Sequence, residues 1–278
     1  MLPEPQNSAI QDLNFWVKFL TNAEIPVLKH TAREIERLKL DGDNLTARSV
    51  ASVVNHDPLM AFRVLRHMQT HKNKHQLQDL VLVEQAIMMM GLSAFFRDLP
   101  PQPMVQDTLK SNLPALTHLL KLIHRSNRAA HYAFEWGVLL RDLHLEETRI
   151  AALLHDLVEI LMWCFAPDKM MKVFEMQHAD KTLRTTKAQE DVFGFRLSEL
   201  QLLLIESCQL PPLLSKLLDE HSVKDQQVKS VSLAANLARH SANGWNDAAL
   251  PDDYAELAQL LRVDVAKAKQ IAGAEPPK

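Results

Sequence analysis

Apolar residues recur at spacings of three and four along most of the chain, which is the pattern of amphipathic helices. In the stretch IPVLKHTAREIERLKL, for example, Ile25, Leu28, Ile35 and Leu38 follow this spacing. Leu, Ala, Met, Gln and Glu dominate the sequence, whereas alternating runs of β-branched residues are scarce. The pattern predicts an all-α fold.

Prolines and polar residues divide this pattern into separate helices. Asp57 is predicted to cap a helix whose first residue is Pro58, a position where the missing N–H of proline is not needed. Pro167 is predicted to end a central apolar helix. Helices are also predicted at about 106–112, 115–141, 146–165, 168–178, 187–192, 196–208, 211–221 and 227–241, with two short ones in the tail.

The proline-containing stretch LPPQPMV is predicted to separate two helical lobes. The chain has 278 residues, enough for two lobes with real cores. We therefore assign an N-terminal extension, a main domain composed of an N-terminal lobe and a helical bundle, and a short helical tail. These segments are 1–20, 21–243 (lobes 21–105 and 106–243) and 244–278.

Composition excludes several classes of protein. The net charge of −3 provides no basic field for nucleic acid. No apolar run approaches the roughly 18 residues of a membrane-spanning helix, and the start MLPEPQNSAIQDL lacks the basic residues of a signal peptide. The six glycines form no phosphate-binding motif. The two cysteines, Cys164 and Cys208, form no disulfide framework, so a cytoplasmic location is expected. From the charge and the short apolar runs, neither nucleic-acid nor membrane partners are expected.

The stretch AALLHDLVEIL places His155 and Asp156 side by side in an apolar helix. Buried polar groups need partners, because leaving them unsatisfied is costly. Three interpretations remain open for the pair: a structural hydrogen-bonding pair, a metal site that hydrolyses phosphate esters, and part of a ligand pocket.

Two further clusters have structural interpretations. His67, His71 and His75 are spaced by four residues, which would place them on one helical face. The intervening KNK favours a solvated helix end or loop over a metal site. Met88–Met90 are interpreted as core filling, with a Met-rich partner groove as the alternative.

Three stretches, in this order, resemble the HD-related output domain (HDOD) family, a degenerate branch of the HD phosphohydrolases. The first is IPVLKHTAREI followed by ARSVASVVNHDPLMAFRVLRHM, and the second is EQAIMMMGL. The third runs from HRSNRAAHYA through TRIAALLHDL and LSELQLLLIESCQLPPLLSKLLDEH to VSLAANLARH. The resemblance covers residues 21–243. The chain departs from the family at Leu157–Val158, where Ile-Gly is common, and at Gln69–Thr70, where Asn-Ser is common.

Catalytic HD domains take metal ligands from an early histidine, the His-Asp pair and a late aspartate. His155 and Asp156 match the pair. Directly before Ser126, where the resemblance implies the early histidine, stands Arg125, and the late aspartate corresponds to Asn236. Arginine is cationic and has no acceptor lone pair, and asparagine is a neutral, poor ligand. We therefore expect a relic site with no metal, no cofactor and no catalytic residue.

Arg125 is predicted to replace the cation and to contact Asp156 directly, because a carboxylate in an apolar helix needs a partner. His124 lies one residue away, about 100° around the helix, and should point elsewhere. A residual metal site would have to recruit substitutes such as His131 or Glu159.

The resemblance implies a non-catalytic bacterial signal-transduction module that contacts signalling proteins in trans. One alternative is a metal-dependent phosphohydrolase acting on nucleotides or cyclic dinucleotides. Another is a nucleotide or phosphate sensor without turnover, in which Arg125 binds the phosphate. Phe15 and Trp16 either pack on the core or contribute to a homodimer.

Overall fold

The computed structural model describes residues 5–71, 82–219 and 225–274. These ranges contain seventeen α-helices, 3-10 turns at Gly42–Asn44 and Ser241–Asn243, and no β-strand. One isolated parallel bridge joins Val27 to Met104. The predicted all-α fold is confirmed.

The chain divides into two compact units. One contains Met1–Leu122 and Asp156–Leu210, and the other contains Ile123–His155 and Pro211–Lys278. The units are delimited differently from the predicted lobes, so the lobe boundaries stay predictions.

In the first unit, the helices are α1 (Pro5–Asn22), α2 (Lys29–Leu40), α3 (Ala47–Val54), α4 (Pro58–Thr70), α5 (Val83–Met90), α6 (Leu92–Asp98) and α7 (Val105–Thr108). α8 (Leu113–Leu140) begins there and continues into the second unit. α9 (Leu145–Leu154) belongs to the second unit. The first unit is completed by α10 (Leu157–Phe165), α11 (Pro167–Ala179), α12 (Thr185–Phe193) and α13 (Leu197–Ser207). The second is completed by α14 (Pro212–Leu218), α15 (Gln226–His240), α16 (Leu250–Leu261) and α17 (Val265–Ala272).

The core of the first unit is built around α4, which is buried continuously from Pro58 to Leu65. The helix begins as predicted, with Asp57 accepting hydrogen bonds from the backbone N–H groups of Leu59 (3.0 Å) and Met60 (3.2 Å). The same carboxylate also accepts the N–H of Leu28 at 2.8 Å. The predicted cap is confirmed, and it additionally fixes the segment that leads into α2.

Arg63 attaches a distant loop to α4. Its guanidinium donates to the carbonyl oxygens of Gln102 (3.0 Å) and Pro100 (2.9 Å). The loop also pairs with Val27, whose N–H donates to Pro103 O and whose carbonyl accepts from Val105 N, both at 2.9 Å. The proline-containing junction predicted from sequence is therefore an ordered part of the first unit.

In the second unit, the connection between α8 and α9 brings the start of α9 so close to α8 that one position of α8 requires a glycine. A Cβ added at Gly137 would lie 2.8 Å from the Cβ of Leu145, closer than side-chain atoms normally approach. Asp142, in the same connection, accepts hydrogen bonds from His144 N (2.9 Å) and from the Gln227 side chain (2.9 Å). These contacts join α8, α9 and α15 near one turn.

The structure corrects three predictions. The helix predicted at 146–165 is interrupted at residues 155–156, between α9 and α10. The helix predicted at 106–112 is only Val105–Thr108, because Asn112 begins the next cap by accepting the N–H of Ala115. Met88 and Met89 are 65% and 55% exposed, so these two side chains do not fill the core. They occupy the last turn of α5, whose buried face is formed by Val83, Ala86 and Ile87.

Among the described residues, no single helix combines the length and apolar character needed to cross a membrane. Within the described ranges, one bent pair, Leu145–Phe165 with Pro167–Ala179, reaches that length and composition together.

Candidate functional site

His155 and Asp156 lie at the break between α9 and α10. His155 is the C-cap of α9 and has helical dihedral angles, whereas Asp156 precedes α10 with φ −99° and ψ 24°. Both side chains are half-buried. His155 belongs to the second unit and Asp156 to the first. The two residues therefore interrupt the apolar helix in which the sequence placed them.

In the first unit, two glutamines from other helices hold the start of α10. The backbone N–H of Val158 donates to the side-chain oxygen of Gln201 in α13 at 3.2 Å. Gln189 in α12 donates from its side-chain nitrogen to the Glu159 carboxylate at 3.3 Å. Both glutamines are buried, with exposed fractions of 8% and 6%. Since the first N–H groups of a helix lack intrahelical partners, Gln201 supplies an acceptor that the Asp156 side chain does not.

Neither glutamine was predicted from the sequence as part of the site. The available signal was their position: each is a polar residue on the apolar side of a predicted helix, where a buried partner is expected. Glu159, predicted as a substitute metal ligand, has one of its oxygens in contact with Gln189. Its role as a ligand stays a prediction.

Replacing Gln201 with leucine keeps the volume but removes the acceptor for Val158 N. We expect the free energy of unfolding to fall by about 1–2 kcal/mol, because a buried N–H loses its partner. Urea denaturation followed by circular dichroism measures this loss. Gln259→Leu, on an exposed position of α16, is the matched control. An equal effect in both variants would contradict the role of Gln201.

In the second unit, neighbouring positions of α8 differ in environment. Arg125 is half-buried and His124 is exposed, which agrees with the predicted rotation of about 100° between them. Asn236 lies on α15 and accepts a hydrogen bond from Arg239 at 3.0 Å on the same helix. This oxygen of the neutral amide therefore already has a cationic donor on the same helix.

His131 lies on an exposed face of α8. Its Nε2 atom is 3.3 Å from a carboxylate oxygen of Glu135, one turn further along the helix. The imidazole and the carboxylate are 67% and 44% exposed. His131 therefore has a local partner in solvent.

The implied ligand set does not fit a metal ion. The described residues contain no group of three or more His, Cys, Asp or Glu side chains placed to hold one. At the implied positions, Arg125 provides a cation in place of an imidazole and Asn236 an amide in place of a carboxylate. The Arg125–Asp156 contact would join residues of different units and stays a prediction.

The two cysteines do not offer a reactive thiolate. Burial raises the pKa of the Cys164 thiol above its ordinary range, and nearby Asp57 raises it further. Burial also raises the pKa of Cys208, although Arg66 and a hydrogen bond with Thr21 oppose this shift. Both thiols remain protonated at neutral pH, and the thiolate is the nucleophilic form of cysteine.

Comparison with known proteins identifies the family. The family model of the HDOD domain matches residues 25–223. The chain therefore belongs to the HDOD domain family. It matches none of the curated proteins.

Solved structures share the fold at low sequence identity. The MmoQ response regulator from Methylococcus capsulatus str. Bath is 16% identical, with 91% of this chain and 99% of that chain covered and a TM-score of 0.67. A virulence factor from Campylobacter jejuni subsp. jejuni is 15% identical, with 96% and 93% covered and a TM-score of 0.64. At such identities the likeness concerns the fold alone.

Proposed function

We propose that this chain is a non-catalytic bacterial signal-transduction module of the cytoplasm that acts through contacts with other signalling proteins. The observation that carries the proposal is Arg125 at the position where an HD enzyme requires a ligating histidine. Membership of the HDOD family supports it. A protein named a response regulator also has this fold.

The chemistry of HD hydrolysis explains why Arg125 matters. A divalent ion binds water and lowers its pKa, so that hydroxide can attack the phosphate. The half-buried guanidinium of Arg125 is permanently cationic and cannot ligate. Asn236 removes a negative charge from a second ligand position. Both replacements oppose the accumulation of positive charge that a bound metal would bring.

Exposed apolar side chains support a role in protein contacts. Phe15 is 60% exposed and stacks on Phe19, with ring centroids 6.0 Å apart. Trp16 is half-buried and meets Phe19 edge-on, so the two aromatic residues noted in the sequence have different environments. In the second unit, Leu139 and Leu143 are 58% and 93% exposed. Clustered exposed aromatic rings such as those of Phe15 and Phe19 are typical of contact surfaces, whereas single exposed leucines are common on any protein.

The decisive experiment restores the missing ligands. The double variant Arg125→His with Asn236→Asp is expected to bind Mn²⁺ at least about tenfold more tightly than the natural chain, because two ligand positions regain donors. Isothermal titration calorimetry measures the affinity. The control pair Lys121→His with Ser232→Asp introduces the same residues one helical turn earlier and is expected to bind no better than the natural chain.

The natural chain supplies the complementary test. Its metal content is measured after exposure to Mn²⁺ and Fe²⁺, and cyclic dinucleotides and nucleotides are offered as substrates. We expect no turnover, and no bound metal that is lost when Asp156 is replaced. Metal or hydrolysis lost in Asp156→Ala would contradict the proposal and identify a phosphohydrolase. Phosphate binding lost in Arg125→Ala, without hydrolysis, would instead identify a sensor.

A further inference from the structure

Two histidines share one face at the C-terminal end of α4. His67 lies in the last turn of the helix, and His71 is its C-cap. Their imidazole rings are stacked, with centroids 4.0 Å apart and planes inclined by 23°. The four-residue spacing explains the contact, because residues i and i+4 are neighbours on a helix surface.

Hydrogen bonding determines which nitrogen of His71 carries the proton. Its Nδ1 atom lies 3.0 Å from the carbonyl oxygen of His67 and 3.0 Å from Thr70 Oγ1. The Thr70 hydroxyl donates to the same carbonyl at 2.9 Å. Since a carbonyl oxygen only accepts, Nδ1 is the protonated atom and the lone pair is on Nε2. Metal-binding histidines commonly have this arrangement, in which the second ring nitrogen donates to a carbonyl.

His67 is suited to be the second ligand. Its side chain is half-buried and lies one helical turn before His71, at the end of α4. Among the described residues, no hydrogen bond occupies a ring nitrogen of His67. The nearby charges of Arg97 and Asp98 largely compensate one another, since they form an ion pair at 2.7 Å.

We propose that His67 and His71 form a two-ligand chelating site for a divalent transition metal that prefers imidazole, namely Zn²⁺, Ni²⁺ or Cu²⁺. Nitrogen ligands lie about 2.0–2.1 Å from zinc, so two of them can share one ion when the His67 ring rotates out of the stack and His71 keeps its hydrogen bond to the His67 carbonyl. Such ring rotations occur about a broad torsion and require little energy. The described residues place no third His, Cys, Asp or Glu in a metal-binding group, so water or an added ligand completes the coordination.

For the series His67, His71 and His75, the sequence favours a solvated helix end or loop over metal binding. The structure places the first two members at the end of α4, as predicted, and in addition stacks their rings. His75, the third member, lies outside the described residues. The pair shares no residue with the implied relic site of Arg125, His155, Asp156 and Asn236, so the proposal does not depend on the proposed signalling function.

Isothermal titration of the full chain, carrying no affinity tag, with Zn²⁺ tests the site. His71→Ala is the main variant because His71 is exposed and its removal leaves the core intact. The exchange His67→Gln with Gln69→His keeps two histidines and the same composition, but places them two positions apart on different faces. His30→Ala, an exposed histidine of α2, is the matched control.

We expect Zn²⁺ affinity to fall at least about tenfold in His71→Ala and in the exchange variant, as expected for a disturbed ligand shell. His30→Ala and Asp156→Ala should bind like the natural chain, which separates this site from the relic site. Zn²⁺ should also raise the melting temperature of the natural chain more than that of the exchange variant, because a ligand of the native state stabilises it. Unchanged affinity in His71→Ala, or equally tight binding by the exchange variant, would overturn the proposal.

Discussion

Replacing Asp57 with alanine is expected to lower the free energy of unfolding by about 3–5 kcal/mol, because several donors lose one acceptor. The carboxylate is fully buried and accepts three backbone N–H groups, those of Leu28, Leu59 and Met60. The Thr31 side chain also forms a hydrogen bond with it. The variant would thus lose the cap of α4 and the attachment of the segment before α2 together. Chemical denaturation monitored by tryptophan fluorescence measures the change.

Asp264→Ala is the matched control for this prediction. Asp264 also caps a helix, accepting the N–H of Lys267 at 2.7 Å, but its position is exposed. Its replacement is expected to lower the free energy of unfolding by about 1 kcal/mol, the usual effect of losing an N-cap. If both variants lose the same amount, burial of the Asp57 network does not contribute as argued.

Because Asp57 is titratable and buried, we also expect the free energy of unfolding to depend on pH. Burial raises its pKa above the ordinary value of 3.8, although the hydrogen bonds oppose this shift. The folded chain therefore holds the proton more tightly than the unfolded chain, so this group's contribution to stability falls as the pH rises from about 3.8 through the raised pKa. Asp57→Asn removes the titration but keeps one acceptor oxygen. We expect it to lose less stability than Asp57→Ala and to lack this pH-dependent fall.

Replacing Arg66 with alanine is expected to lower the free energy of unfolding by about 2–3 kcal/mol, because charged hydrogen bonds to partly buried carbonyls are lost. The guanidinium donates to the carbonyl oxygens of Leu20 (3.0 Å), Thr21 (3.1 Å) and Ala23 (2.9 Å). Two of these acceptors belong to the last turn of α1, whose carbonyls have no intrahelical partners. The variant should expose the end of α1, and hydrogen exchange there should accelerate.

The variant Arg66→Lys distinguishes the contribution of the guanidinium's donor geometry from that of its positive charge. An ammonium group keeps the charge but cannot reproduce the planar fork of donors, so less than half of the loss should be recovered. Arg33→Ala, at an exposed position of α2, is expected to change stability by less than about 0.5 kcal/mol. Full recovery by lysine would show that charge alone accounts for the role of Arg66.

Much of the helical framework could be predicted because its causes are local. Spacings of three and four residues and the Asp57–Pro58 step depend on neighbours within one or two turns. The break at His155–Asp156 could not be predicted, because apolar residues continue on both sides of it. The acceptor that supports α10 there comes from Gln201, 43 positions away in the chain from Val158.

The candidate site could likewise be predicted only in part. The identities of Arg125 and Asn236 at the implied ligand positions could be recognised from the sequence once the resemblance was established. The contact between Gln189 and Glu159 could not, since these residues are separated by 30 positions and meet only in the folded first unit. The exposure of Met88 and Met89 was also missed, because apolar character alone does not show which side of a helix faces the core.

By itself, therefore, the sequence determined the all-α class, the cap of α4, the resemblance to the HDOD family and the residue types at two implied ligand positions. Those properties follow from residue identity and from interactions over a few positions. Only the tertiary structure decided where buried polar groups find partners, as with Arg66 and the carbonyls of α1, and how His67 and His71 are oriented. Hydrogen bonds between distant segments and the directions of side chains exist only after the helices have packed, so no local pattern could specify them.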